Sequence, residues 1–208
     1  LVTGEVTPQE ETTKRAPLKL RLQAIPKDGS FFSKAMEAEQ LDQLDRAASF
    51  YQEEISRNGN HIKSALKNLA ALKNRNGKPE AAIELLDKYK SSFDSSESVS
   101  LDQMRVQFYV KAKKFTAAAR LLEKLAKTVT NKRLEYQRQQ AYCFLANSEF
   151  DEAIKLLNSI LKKQPWDNAS ASLLAKVKDA KETGKFTIAT ESGVDSIEDD
   201  ILSSLALG

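Results

Sequence analysis

Residues 150–157 read FDEAIKLL, and related stretches begin at residues 44, 79 and 115 with LDRAASFY, PEAAIELL and FTAAARLL. Each stretch has an alanine at its fourth position, and these alanines follow one another at intervals of 35, 36 and 35 residues; they are Ala47, Ala82, Ala118 and Ala153. Self-similarity at this period is typical of stacked helix pairs rather than of a single globular core. The sequence therefore predicts a repeat architecture, a type of fold that more often binds partners than catalyses reactions.

On both sides of these stretches, apolar residues keep a helical period from Ser30 onward. The predicted helices span residues 31–42, 44–57, 61–75, 79–92, 99–112, 115–128, 132–146, 150–163 and 168–182. Turn residues separate them: we expect Asn60 to cap the third helix, and Pro79 opens the fourth at an allowed first-turn position. Because a small side chain lets two crossing helices approach closely, each repeated alanine is expected at such a crossing.

The repeat resembles the tetratricopeptide repeat, which places small residues where its two helices touch and larger apolar residues around them. The fourth unit carries the resemblance most fully, with Ala141, Phe144, Phe150, Ala153, Leu157, Ile160 and Pro165. The first unit departs from the pattern, since Glu54 replaces a small or apolar residue and Gly59 replaces the proline. The resemblance implies an all-α, right-handed solenoid of about four helix-turn-helix repeats plus a terminal helix over residues 30–183.

The segments that flank the repeats have different patterns. Residues 1–29 are expected to be a flexible N-terminal segment, with strand-like alternation of apolar and polar residues over 18–25. Residues 184–208 are expected to form a linker and an acidic amphipathic helix, with an apolar stripe at Val194, Ile197, Ile201, Leu202 and Leu205. That helix either caps the last repeat or acts as a ligand-like segment in a basic groove. Because the chain begins with Leu1, we also expect it to be part of a longer protein.

Charge is spread unevenly along the chain, although the net charge is only +3. Residues 111–138 contain nine Lys or Arg and two Glu, whereas residues 187–208 contain five acidic residues and no basic one. In the family that the chain resembles, the first helix of each pair lines a concave groove. Carrying this over by position gives a groove with a basic bias, formed by Phe32, Met36, Lys67, Asn74, Arg75, Gln103, Gln107, Lys111, Arg138, Tyr142 and Lys176. The hypothesis is that this groove binds an acidic peptide; the alternative is that these residues form solvated helix faces.

Two other features bear on the ligand. Some members of the family hold a C-terminal carboxylate with a Lys and an Asn one turn apart, but Ala71 follows Lys67 at that spacing, so this clamp is not reproduced. The basic stretch 111–138, with Phe108, Tyr109 and Tyr136 nearby, makes RNA the alternative partner. Trp166 is expected to pack between repeats; an exposed position would instead mark a docking site.

Catalytic chemistry finds little support in the sequence. The chain has one histidine, His61, and one cysteine, Cys143, so neither a typical zinc site nor an internal disulfide is expected. Cys143 lies in an apolar stretch and is expected to be a buried free thiol. We expect no enzyme activity, no metal and no cofactor, a protein or peptide partner, no membrane association, and a cytoplasmic location; self-association of end units stays open.

Overall fold

Residues 25–184 are the part of the chain that the computed structural model describes, and they form nine α-helices joined by short turns. The helices are α1 (Phe31–Gln40), α2 (Leu44–Ser56), α3 (Ile62–Arg75), α4 (Pro79–Lys88), α5 (Ser98–Lys111), α6 (Phe115–Thr128), α7 (Arg133–Ala146), α8 (Phe150–Lys163) and α9 (Asn168–Thr183). No strand occurs within residues 25–184, so the predicted all-α class is confirmed there. The strand-like segment, apart from Ile25, and the acidic tail at 185–208 lie outside the described residues.

The predicted helix bounds agree with the structure to within a few residues, except at the end of α4. That helix ends at Lys88. A short 3₁₀ turn, Lys90–Ser92, replaces its predicted last turn, and a second one, Ser95–Glu97, follows. Serine side chains compete for backbone hydrogen bonds and disfavour a continuing helix. The Glu97 side chain also accepts a hydrogen bond from the backbone N–H of Asp94 at 3.3 Å, which stabilises the second turn.

The repeat interval is visible in the packing of small residues. Ala47, Ala82, Ala118 and Ala153 on the second helices are all fully buried. The first helices carry their own fully buried small residues at the same intervals, at Ala35, Ala70, Val106 and Ala141. Close helix packing therefore recurs at the position that the sequence pattern predicts.

The interval also recurs in the backbone, at the turn between the two helices of each pair. Asp42, Gly77, Lys113 and Ser148 have positive φ angles of 57°, 71°, 56° and 60°. Only glycine adopts this left-handed conformation without a penalty, which for other residues is about 1–2 kcal/mol. The turn geometry is thus kept even where the residue does not favour it.

The core is divided along the chain. Extensive contacts join helices that follow one another, and α3 also touches α5. Among the described residues the buried apolar side chains form four clusters, and each cluster draws on two or three consecutive helices or the turns beside them. The described part of the chain is therefore a repeat-like helical fold.

A buried carboxylate joins α1, α2 and α3. Glu54 is only 4% exposed, and its carboxylate accepts hydrogen bonds from the backbone N–H groups of Phe32 at 3.3 Å and of His61 at 3.0 Å. The prediction that Asn60 caps α3 is wrong, because Glu54 satisfies the amide at the helix start instead. Gly59 leaves room for this carboxylate, since a Cβ at residue 59 would overlap the Glu54 side chain. The two departures from the repeat pattern are therefore structurally linked.

Candidate functional site

The first predicted groove residue, Phe32, lies in the core. It is 5% exposed, and its ring packs against those of Tyr51 and His61 with centroid distances of 5.9 and 5.0 Å. The prediction that Phe32 lines the groove is therefore wrong. Its phenyl ring has no polar group that needs a partner, and burial beside Glu54 and α2 removes its apolar surface from water.

Three other predicted groove residues occupy the same repeat position as Phe32 and bind the following unit. Lys67 Nζ lies 2.6 Å from Glu97 Oε1, Gln103 Nε2 donates to the Tyr136 hydroxyl at 2.7 Å, and Arg138 Nη1 lies 3.0 Å from Asp167 Oδ2. Each contact spans about one repeat. These side chains therefore hold successive units together.

Both acidic partners have lowered pKa values. The Lys67 ammonium, which donates to Glu97, is the main reason why the pKa of that carboxyl falls to about 2, although burial opposes the shift. Burial also disfavours ionisation of Asp167, but hydrogen bonds from Ser170 and the positive charge of Arg138 outweigh it, and the pKa is lowered. Both carboxyls are therefore ionised near neutral pH, and each neutralises a cation that the groove hypothesis needed.

Arg75 of α3 also forms an ion pair within the domain. Its guanidinium forms an ion pair with Glu39 of α1, and Glu39 also accepts a hydrogen bond from the Tyr51 hydroxyl. Asn68 donates to that hydroxyl at 3.1 Å. Much of the predicted basic bias is thus cancelled by contacts within the domain.

The remaining predicted residues lie in several places. Asn74 and Lys111 come together in a pocket of about 290 Å³, where the turn between α3 and α4 approaches the end of α5. Met36 and Gln107 are half-buried, as is Tyr142, which packs beside the clusters around α6 and α8. Lys176 is exposed on α9. They do not converge on one described pocket.

A cavity of about 550 Å³ was not predicted as a site. It lies between the start of α7, with the turn before it, and the C-terminal end of α8, and we call it the α7–α8 cleft. Its cationic lining residues are Lys132, Arg133, Arg138 and Lys163, its apolar ones are Leu134 and Ile160, and Glu135 is its one carboxylate. Of the four cations, only Arg138 forms an ion pair with a described residue. The excess of basic residues over 111–138 could have indicated this site from the sequence. Only the structure shows that Lys163, from the end of α8, lines the same cleft.

Trp166 lies in the turn after α8, two residues after the last lining residue of this cleft, and is 77% exposed. It follows Gln164, which lines the cleft, and precedes Asp167, which binds Arg138. The prediction that it packs between repeats is wrong. The space between α8 and α9 is already filled by smaller apolar side chains, namely Leu157, Ile160, Leu173 and Val177.

The aromatic residues near the basic stretch do not form a stacking surface for bases. Phe108 and Tyr136 are each 1% exposed and belong to the core, and Tyr109 is half-buried. Lys124 and Lys127 form ion pairs with Asp102 and Glu123. The sequence argument for RNA stacking therefore has no counterpart among the described residues.

The single histidine and the single cysteine have structural surroundings. His61 Nε2 lies 2.7 Å from Asp28 Oδ2, and hydrogen bonds from Ser30 and then from His61 lower the pKa of Asp28. Cys143 is buried, as predicted, and burial raises the pKa of its thiol to about 12. Within residues 25–184, no group of three or more potential metal-ligating side chains comes together.

Comparisons with protein-family models, curated proteins and solved structures gave no match for this chain. Among the described helices, none has the length and apolar character needed to cross a membrane.

Proposed function

We propose that the chain is a protein-interaction scaffold, built as a right-handed solenoid of about four tetratricopeptide-like repeats, which binds an acidic peptide or helical segment of a partner protein. Support for the solenoid comes from one interval that recurs in the buried small residues and in the left-handed turns. The division of the core into clusters of consecutive helices fits the same architecture.

The observation that carries the binding proposal is the exposed indole of Trp166, two residues after Gln164 in the lining of the α7–α8 cleft. Tryptophan and arginine are enriched among the few interface residues that dominate binding energies. Lys132, Arg133 and Lys163 add positive charge that no described acid neutralises. The ligand site is therefore placed at this cleft, with Arg138 as the only member of the predicted groove that lines it.

The lining determines the chemistry of the ligand. Its cations favour carboxylates, with which Arg forms paired hydrogen bonds and Lys forms point contacts. Leu134, Ile160 and the indole of Trp166 favour apolar side chains. A segment with acids on one side and apolar residues on the other satisfies both requirements, as an amphipathic helix does.

The test is a calorimetric titration of the chain with a synthetic amphipathic peptide that carries Leu at helical spacing and Glu at the other positions. We expect binding that weakens by about tenfold or more in Trp166→Ala/Lys163→Glu, since loss of an aromatic anchor and a charge pair is worth roughly 1.4 kcal/mol or more. Leu41→Ala is the matched control, because Leu41 is also a large exposed apolar residue, 67% accessible, but lies at the turn after α1.

Two results would contradict the proposal. One is equal affinity of the wild type and the Trp166→Ala/Lys163→Glu variant for the peptide. The other is equal binding of a peptide in which Lys replaces every Glu. A single-stranded oligouridine is titrated in parallel, and salt-dependent binding of the RNA in place of the peptide would favour the alternative ligand class.

A further inference from the structure

The lining of the α7–α8 cleft has more positive than negative charge. Lys132, Arg133 and Lys163 form no ion pair with residues 25–184, and the one carboxylate in the lining is Glu135. Cations held close together in this way repel one another, and an acidic segment that binds there relieves the repulsion.

The same chain contains a segment with the complementary composition. Residues 187–208 carry five acidic residues and no basic one. Within this segment Val194, Ile197, Ile201 and Leu205 recur at the three- and four-residue spacing of one helix face. The segment thus combines the two properties that the cleft lining favours, namely carboxylates and a row of apolar side chains.

The distance between the segment and the cleft is within reach of the chain. Lys181 near the end of α9 lies 2.5 Å from Asp151 at the start of α8, whereas the cleft lies at the opposite end of α8, near Lys163. Twelve helical residues separate Asp151 from Lys163, which corresponds to about 18 Å. Residues 185–193 can span up to about 30 Å when extended, so residue 194 and those after it can reach the cleft.

We propose that residues 194–205 bind the α7–α8 cleft of their own chain and compete there with the partner peptide. This inference rests on the proposed function, because it assigns the same cleft to an internal ligand. Attachment to α9 makes the contact intramolecular, so even weak binding is favoured by a high effective concentration. The tail then sets how much of the cleft is open to a partner.

Trp166 provides the measurement, because it is the only tryptophan of the chain and follows the cleft residue Gln164 by two positions. Its fluorescence is quenched with acrylamide, a neutral quencher, in the wild-type chain of residues 1–208 and in the variant Glu198→Lys/Asp199→Lys/Asp200→Lys. We expect stronger quenching and emission at longer wavelength in the variant, because the indole loses its cover. A control variant, Glu37→Lys/Glu80→Lys/Glu84→Lys, changes the net charge equally at exposed acids of the described helices and should behave as the wild type.

Peptide affinity gives a second readout. If the tail occupies the cleft for about nine-tenths of the time, releasing it raises the apparent affinity for the Leu/Glu peptide about tenfold. High salt should have a similar effect on the quenching of the wild type, because screening weakens the charge contacts.

The possible results separate the two proposals. Equal quenching in wild type, variant and control, with normal peptide binding, would overturn the tail proposal and leave the proposed function intact. Protection of Trp166 by the tail, without peptide binding in the tail variant, would support the internal contact and overturn the peptide function. Protection that disappears on dilution would assign the contact to a second copy of the chain and also overturn the proposal.

Discussion

Two junctions between successive units differ in charge at two corresponding positions. Lys67 reaches forward from α3 to Glu97, which precedes α5, and the two form an ion pair at 2.6 Å. One repeat later the equivalent positions hold Gln103 and Lys132, and no ion pair forms between them. Asp167 follows Lys132 by another 35 residues and pairs with Arg138. A lysine thus stands where the flanking units have an acid, and this lysine lines the α7–α8 cleft.

The difference shows that one repeat position can either join two units by an ion pair or leave a cation without an acidic partner. Where the position is acidic, it neutralises a cation of the preceding unit. Where it is a lysine, the junction depends on apolar packing and on the Gln103–Tyr136 hydrogen bond of 2.7 Å, and positive charge remains at the surface. The polar groups of α1 to α3 are thus largely paired within the domain, whereas Lys132, Arg133 and Lys163 near α7 and α8 form no ion pair with a described residue.

The largest effect is expected from Glu54→Ala, which removes the buried carboxylate between α1, α2 and α3. Two backbone N–H groups lose their acceptor, and the expected loss of stability is about 2–6 kcal/mol at roughly 1–3 kcal/mol per unsatisfied buried group. Urea denaturation measures the total loss, and hydrogen exchange should accelerate in α1 to α3 more than in α7 to α9. The neighbouring Glu53→Ala is the control, since Glu53 forms only a surface pair with Arg57. Equal stability of the two variants would contradict the assigned role of Glu54.

The reverse pattern is expected for Ala153→Leu. Ala153 is fully buried, and overpacking of this site should lower the stability by about 1–3 kcal/mol. Here exchange should accelerate in α7 to α9 and change little in α1 to α3, because contacts join consecutive helices. Ala175→Leu introduces the same side chain at an exposed alanine of α9 and should leave the thermal midpoint nearly unchanged. An unchanged midpoint for Ala153→Leu as well would show that the crossing is placed wrongly.

A smaller effect is expected from the Lys67–Glu97 pair and should depend on pH. The pKa of Glu97 is about 2 in the folded chain, below its ordinary value of 4.5. The pair therefore contributes stability above pH 4.5, and this contribution is lost as the pH falls toward 2. Glu97→Gln should reduce the pH dependence of unfolding in this interval, and a double-mutant cycle with Lys67→Ala at pH 7 should give about 0.2–1 kcal/mol. A coupling energy that does not decrease on acidification would contradict the lowered pKa.

The smallest change in stability is expected when the missing pair is installed by Gln103→Lys/Lys132→Glu. An exposed ion pair adds at most about 1 kcal/mol, but the charge of the cleft becomes less positive. We therefore expect a nearly unchanged urea midpoint together with weaker binding of the Leu/Glu peptide. Gln52→Lys/Lys155→Glu, which makes the same two exchanges at exposed residues outside the cleft lining, is the control for both measurements. Unchanged peptide affinity of the Gln103→Lys/Lys132→Glu variant would show that Lys132 does not contribute to peptide binding.

The helices and their crossings could be predicted because they depend on local periodicity. The regular spacing of the alanines from Ala47 to Ala153 gives the position of each helix pair. The apolar residues around these alanines follow the helical period and pack against the adjacent helix. Only the Ser-rich end of α4 differs, where local side-chain hydrogen bonds compete with the helix.

The candidate site was harder to predict because it depends on contacts between residues about 30 positions apart. The sequence shows that Lys67 is positively charged but not that Glu97 reaches it from the following unit. Likewise, Trp166 is exposed because four aliphatic side chains already fill the space beside α9, which depends on the packing of whole helices. A family pattern assigns positions, but ion pairing at each position depends on the particular residue one unit away.

The contact between Glu54 and Gly59 limits the order in which this region can change by single substitutions. A side chain at residue 59 collides with the carboxylate while Glu54 is present. Once a smaller residue replaces Glu54, the space beside residue 59 opens and the glycine is no longer required for room. The two positions are therefore epistatic: a path that begins at residue 54 passes through an intermediate with lost hydrogen bonds and unfilled space but no clash, whereas a path that begins at residue 59 starts with a steric clash. Related chains should accordingly pair Glu54 with a glycine at residue 59.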